Sequence, residues 1–405
     1  MIRLAHCSDT HLDADARAAG KILRDAQGLN VRFEDRKRAF RSAAEGAIER
    51  GCHLFIHSGD TFERPRPTPA EYCAAEEVFD LIVQHMPCIT IADNHSAVES
   101  AAERHGVEPL MGRNPHLHVS VAAELLTIQT GAGPVQVCTL PSPRRSIVAA
   151  QDETRGLSPA AINALISDKL RSLIHGFRAR LDPTLPSILV YHGGVQGAWL
   201  TDLQQATGTE AIRLNPQDLD GVDYCALGDF HAMQQVTPRA WYSGATDRCS
   251  FGEESQAKGW LYVELSKDKE LLPVVHMVET PARRYVTYSP EELTAAFNPS
   301  HCPPDPIEHL STMDVADPDY PIIRVKGSCT QEEYDSLQPL LARMRTLPIF
   351  SEQIEVTRET RARSAGMTGA LTPEASLRLW HSENNRPEDL DRLLAAHRKI
   401  AGAAR

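Results

Sequence analysis

The sequence has no C-x-x-C pair, no internal repeat and no excess of positive charge. Nor does it contain an apolar run near the ~20 residues that span a bilayer. Each absence excludes something. The nine cysteines are scattered, several within apolar strand patterns. They read as small buried hydrophobes in a reducing cytosol, not as a disulfide framework or a zinc site. With no span and a chain that opens on an apolar strand, the expectation is a cytoplasmic protein with no membrane association. The formal net charge of −12 argues against a global field that holds nucleic acid. If the chain acts on DNA, positive charge must be local, supplied by metal ions, or lent by a partner.

What is present is a 405-residue chain, 42% hydrophobic, enough for one large domain with one or two small ones. Residues 2–6 read as a short apolar strand running into Ser8-Asp9-Thr10-His11. A polar loop comes next over 13–30. A helix is expected over 34–50 from the spacing of Phe40, Ala43, Ala44, Ala47 and Ile48, ended by Gly51. A buried strand at 53–57 leads into Ser58-Gly59-Asp60-Thr61-Phe62-Glu63, and a helix spans 69–85. A third strand at 88–92 ends in Asp93-Asn94-His95-Ser96. This alternation is an α/β signature, and open α/β sheets carry their sites beyond the carboxyl ends of the strands.

Short strands at 117–121, 125–129 and 135–140 suggest a second sheet. An amphipathic helix covers 160–181. Strands at 187–191 and 223–227 end in His192-Gly193-Gly194 and Gly228-Asp229-Phe230-His231, with further strand material at 259–265. Composition shifts near 280, and Pro-rich 302–306 reads as a linker. A strand, helix and strand at 320–326, 331–344 and 353–357 suggest a small α+β module. Residues 358–371 read as a polar, mobile stretch, and Thr372-Pro373 as the start of a terminal helix.

Five strand ends thus supply Asp9, His11, Asp60, Asn94, His95, His192, Asp229 and His231. Asp9 and His11, two apart at a strand end, are expected to face one way. The inventory suits two divalent metals about 3.5–4 Å apart, with Asp60 the natural bridge.

The ordered motifs resemble those of the calcineurin-like metallophosphoesterases, and among them the SbcD-like DNA-repair nucleases. The stretch Tyr242-Ser243-Gly244-Ala245, Arg248, Phe251-Gly252-Glu253 and Lys258-Gly259-Trp260 is similar to the segment after the last metal motif of those nucleases. The resemblance implies a four-layer sandwich, two mixed β-sheets flanked by helices, over 1–280. It further implies a small α+β capping domain at 306–358 and C-terminal helices at 372–405 that dock an SbcC-type SMC-like ATPase. By resemblance, Asp9, His11, Asp60 and His231 hold one metal. Asp60, Asn94, His192 and Asp229 hold the other, and His95 is the catalytic histidine near the leaving oxygen. The implied reaction is in-line attack of water on a phosphodiester of DNA. The absence of soft ligands favours manganese over zinc, with magnesium the alternative. Homodimerisation is a family expectation.

Three positions depart from the family pattern. Asp93 stands where a glycine is usual, and is expected to strain the backbone or add an anionic ligand. Ser96 replaces a carboxylate that orients the histidine. Asp229 replaces a histidine, which makes the site more anionic. A catalytically impaired DNA-binding or scaffold subunit, or a phosphodiesterase for a small nucleotide, are the competing readings. Arg64, Arg66, Arg144 and Arg145 lie on loops placed to touch DNA phosphates.

Overall fold

The computed structural model describes residues 1–95, 104–143, 148, 154, 156–199, 212–297, 305–357, 372–383 and 390–402. The chain begins with β1 (Ile2–Cys7), α1 (Val31–Glu49), β2 (Leu54–His57), α2 (Pro69–Val83), β3 (Cys88–Ile91) and β4 (Leu117–Ser120). It continues through β5 (Glu124–Thr130), β6 (Gly133–Leu140), α3 (Pro159–Arg178), β7 (Ser187–His192), and the two-residue strands β8 (Gly194–Val195) and β9 (Arg213–Leu214). Then come β10 (Tyr224–Gly228), β11 (Gln234–Thr237), β12 (Ala240–Tyr242), β13 (Gly259–Leu265), β14 (Val274–Glu279) and β15 (Tyr285–Tyr288).

Two six-stranded mixed sheets form the body, ordered β14-β13-β1-β2-β3-β4 and β11-β12-β10-β7-β6-β5. The first has four parallel strands, β1 to β4, with antiparallel pairing through β13 and β14 on one side only. The second has four parallel strands with an antiparallel strand at each edge. The period-2 alternation of buried strands sorts side chains onto two faces. Ile2, Leu4, Leu54, Ile56, Ile89 and Ile91 of the first sheet pack with Val137, Ile188, Val190 and Ala226 of the second. The alternate residues Ala5, Cys7 and Phe55 pack with Phe40 of α1 and Phe79 of α2. Leu189, Tyr191 and Leu227 pack with Ile166, Leu170 and Phe177 of α3. The layers are therefore helices, sheet, sheet, helix.

Helix starts obey local chemistry. Asn30 caps α1 by accepting from the Arg32 N–H, three residues earlier than periodicity places the start. The delay in the pattern has a cause: Arg32, Asp35 and Arg36 are charged yet buried. Arg32 bonds Asp35 and Asp247 at 2.6 Å each, and Asp35 also pairs with Arg283. Thr68 and Glu71 form a capping box at α2, with Pro69 in the first turn. The strand near 117, expected in the second sheet, belongs to the first: β4 pairs with β3 from Cys88↔Leu117 to Ile91↔Ser120.

Further on are α4 (Pro290–Ala296), α5 (Pro306–Thr312), β16 (Ile322–Thr330), α6 (Gln331–Met344), β17 (Phe350–Thr357), α7 (Pro373–Glu383) and α8 (Leu390–Gly402). Contacts divide the chain into two units. The first comprises Met1–Lys326 and Pro339–Gln353, and the second Gly327–Gln338 and Ile354–Arg405. In the first, β15 pairs with β16 in parallel from Tyr285↔Ile322 to Tyr288↔Val325. In the second, Glu374 of α7 and Arg398 of α8 form an ion pair at 2.7 Å. Of the expected linker at 302–306, residues 302–304 lie outside the described residues. Asp305 instead caps α5 and Pro306 begins it, because the Asp305 carboxylate accepts from the Ile307 and Glu308 N–H groups. The stretch 358–371 also lies outside the described residues. Among the described residues no helix is long and apolar enough to cross a membrane.

Candidate metal centre

The site lies in the first unit, past the carboxyl ends of β1, β2 and β3 in one sheet and β7 and β10 in the other. Backbone hydrogen bonds zip the loops after β1 and β2 together: Asp9 N–H to Gly59 O at 3.0 Å, and His11 N–H to Asp60 O at 2.9 Å. Four candidate ligands sit in left-handed backbone: Asp9 (φ 53°), His11 (45°), Asp60 (54°) and Asp229 (100°). Each such residue costs on the order of 1–3 kcal/mol and persists only where its surroundings over-determine it. Asp9 and His11 therefore do not converge by strand alternation, as expected from their spacing; the chain has left the strand, and two left-handed residues turn them inward.

Two ligand groups share Asp60. Donor atoms of Asp9, His11, Asp60 and His231 lie within 4.8 Å of one another, as do those of Asp60, His192 and Asp229. His11 Nε2 is 2.9 Å from His231 Nε2 and 3.5 Å from Asp60 Oδ2. His192 Nε2 is 2.8 Å from Asn94 Oδ1, 3.3 Å from Asp60 Oδ1 and 4.0 Å from Asp229 Oδ1. Asp9, His11, Asp60 and His192 are buried. Asp229 N–H donates to Asp9 Oδ1 at 3.1 Å, tying the two sheets' loops together.

The histidines are turned so that Nε2 faces this centre. His192 Nδ1 lies 2.7 Å from the Ser58 carbonyl, which can only accept, so Nδ1 carries the proton. His231 Nδ1 is held at 2.8 Å by Glu253 Oε1, and Glu253 is fixed in turn by Lys258 at 2.7 Å. His11 Nδ1 is 3.1 Å from Glu63 Oε2. An Nε2 lone pair facing carboxylate and amide oxygens is repulsive unless a proton or a cation lies between them. Asp60 Oδ1, fully buried, makes no hydrogen bond. Two ligands at ~2.1 Å from one octahedral ion lie ~3 Å apart, which matches the 2.8–3.5 Å separations among these donors. The residues present fit a pair of divalent cations.

Electrostatics point the same way. Asp9, Asp60, Asp93, Asp229, Glu63 and Glu253 face or back the centre, against the fixed cations Arg36 and Lys258. Burial works to lower the His192 pKa, but Asp60, Asp229 and Asp9 outweigh it and hold it well above the usual imidazole range. Burial, with Asp60 and Asp9, pushes Asp229 up to about 6. Both shifts express a surplus of negative charge that a cation would relieve.

Glycines clear the space. A Cβ on Gly59 (φ 103°) would lie 2.3 Å from His192 Nδ1, and one on Gly228 2.2 Å from the Ser58 carbonyl oxygen.

No family model matches the sequence. Among solved structures the chain is similar to a dimetal phosphatase from Danio rerio, at 8% identity and a TM-score of 0.36, covering 68% of this chain and 98% of that one. It is also similar to purple acid phosphatase PPD1 from yellow lupin (Lupinus luteus) seeds, at 12% identity and a TM-score of 0.34, covering 66% of this chain and 50% of that one. At those values nothing about activity or ligand passes from these proteins to this chain.

The structure thus brings together Asp9, His11, Asp60, Asn94, His192, Asp229 and His231. His95 stands at the rim, half-buried, its Nδ1 bonded to the Glu63 carbonyl at 3.0 Å and its Nε2 3.9 Å from Asp60 Oδ2. Asp93 takes a part not expected of it: its buried Oδ2 accepts the Asp60 N–H at 2.9 Å, and its backbone is not left-handed. Arg64 is paired with Asp13 and with Asp15 at 2.8 Å, and Arg66 is exposed on the loop before α2. Arg144, Arg145 and Ser96 lie outside the described residues. Two carboxylates, Glu63 and Glu253, stand in the motif stretches but drew no role from sequence. Their partners are distant in the chain or decided by loop geometry; the sequence hint was Glu63 in the motif of Asp60, whereas Glu253 lies well past His231 in the chain.

Proposed function

We propose that this chain is a metal-dependent phosphodiesterase acting on DNA, a nuclease of the SbcD-like kind within the calcineurin-like metallophosphoesterases. The observation that carries the reading is Asp60, one buried carboxylate common to two clusters of imidazole and oxygen ligands. Asp9, His11, Asp60 and His231 would hold one divalent cation, and Asp60, Asn94, His192 and Asp229 the other. Manganese is favoured by the oxygen-rich set, with magnesium the alternative. Such cations would lower the pKa of a water and offset phosphate charge.

The chain's own residues do the rest. Ser58 and Glu253 orient the imidazoles of His192 and His231 so that Nε2 faces inward, and Glu63 Oε2 stands 3.1 Å from His11 Nδ1. His95, with Nδ1 held by the Glu63 carbonyl, presents Nε2 toward the space beside Asp60. There it can give a proton to a departing oxygen. DNA as substrate, and an SbcC-type ATPase as partner, rest on the order of the sequence motifs. The surplus of carboxylates at the site supports a requirement for cations before any phosphate can approach.

The test is digestion of end-labelled single- and double-stranded DNA with manganese, beside a His95→Ala control and a chelated sample. Cleavage by the wild type alone is expected; equal residual cleavage in all three would sink the reading.

A further inference from the structure

We propose that Glu254 is a positioning residue for the ligand His231. It fastens the turn that holds His231 to the strand pair β15–β16, so that this pair sets the affinity of one cation position and not of the other. The inference rests on the two-cation reading of the site and deepens it. The turn at Phe251–Glu253 is followed directly by Glu254, so two carboxylates stand in succession. Glu253 is buried and serves the centre. One of its oxygens lies 2.8 Å from His231 Nδ1; the other accepts from Lys258 at 2.7 Å and from the Cys249 N–H at 3.0 Å. Lys258 also donates to the His231 carbonyl at 3.0 Å. The stretch 249–258 therefore holds this ligand by its ring and by its backbone.

Glu254 reaches a different element. Its Oε1 accepts from the Thr287 N–H at 2.8 Å and its Oε2 from the Thr287 hydroxyl at 2.6 Å. Thr287 lies in β15, the edge strand of the sheet β15-β16-β17, and an edge strand has backbone N–H groups that its own sheet does not pair. Opposite Thr287 in the register is Arg324 of β16. Arg324 donates to the same hydroxyl oxygen at 3.1 Å and lays its guanidinium over the Phe251 ring, 4.1 Å from the centroid. Phe251 meets Tyr285 of β15 edge to face, with centroids 4.9 Å apart. Both ends of the turn are thus bonded to the strand pair, and all these residues belong to the first unit. One peptide joins Glu253 to Glu254, so a displacement at Thr287 is passed to the carboxylate behind His231. Hydrogen bonds weaken steeply with misalignment, and the bond that aims the His231 ring leaves no slack. His192 is held instead by the Ser58 carbonyl, on the loop after β2. The second cation position has its own support.

The test is calorimetric Mn²⁺ titration of proteins reduced to one position. His192→Ala keeps the position that contains His231, and His231→Ala keeps the position that contains His192. Each is titrated with and without Glu254→Gln, a cycle that isolates the coupling between the two residues. Glu254→Gln is expected to weaken Mn²⁺ binding ~10-fold in the His192→Ala protein and to leave it within twofold in the His231→Ala protein. Thr287→Val removes the hydroxyl donor and leaves both carboxylates in place; it should weaken the same position and spare the other. Equal weakening at both positions, or none at either, overturns the proposal. A wild type that takes up fewer than two Mn²⁺ ions in the same titration overturns instead the two-cation reading on which the proposal stands.

Discussion

At the residue scale, the centre is defined by side chains whose hydrogen-bond needs the protein leaves to a cation. Lone pairs of His11, His231 and His192 face one another or carboxylates. The sequence made the ligand types legible because each ends an apolar strand. It could not show which atoms face inward, since Ser58 O and Glu253 fix the rings of His192 and His231 through contacts that no local pattern encodes. Glu253→Gln should weaken Mn²⁺ binding ~10–100-fold by loosening His231, measured by titration calorimetry. Gly59→Ala places a methyl 2.3 Å from the His192 ring at a left-handed position. It should abolish the Mn²⁺-induced rise in melting temperature while the fold is retained by circular dichroism.

Two other imidazoles show how pH should act on stability. Burial pushes His6 and His57 from 6.5 down to about 3. Between those values the unfolded chain binds protons that the folded one refuses, so their contribution is complete above pH 6.5 and is lost as pH falls toward 3. The raised pKa values of His11, His192 and His231 act in the opposite sense and above 6.5. In the metal-free protein, chemical denaturation from pH 6.5 to 4.5 should therefore show a shallower loss of stability in His57→Gln than in wild type. An unchanged slope would count against a neutral buried His57.

At the element scale, the α/β alternation and the strand-end motifs were readable because buried parallel strands are short apolar runs with turn residues after them. Sheet membership was not, because β4 looks like any edge strand until its pairing with β3 is known. The early start of α1 was hidden because buried ion pairs put charge where periodicity expects apolar residues. Phe79 stacks edge-on against Phe40 at 5.3 Å between α2 and α1. Phe79→Ala should cost ~3–5 kcal/mol, and Thr68→Ala, which removes the α2 cap, ~1 kcal/mol. Urea denaturation in the presence of metal measures both, and a loss at Thr68 equal to that at Phe79 would contradict the assignment of the helix interface as the main source of stability there.

At the scale of the molecule, a chain of net charge −12 with a carboxylate-rich centre should depend on cations for both stability and substrate. Mn²⁺ at 100 times its dissociation constant should add ~2.7 kcal/mol per independent site, reversed by chelator. If Arg144 and Arg145 contact DNA phosphates, replacing both by alanine should flatten the logarithmic salt dependence of binding by up to ~2; an unchanged slope would remove them from the interface. The most direct test of the account is anomalous diffraction at the manganese edge from crystals grown with Mn²⁺. Two peaks ~3.5–4 Å apart, one on either side of the Asp60 carboxylate, are expected. A map with no peak there, or a single ion that leaves His192 and Asp229 without a metal, would contradict it.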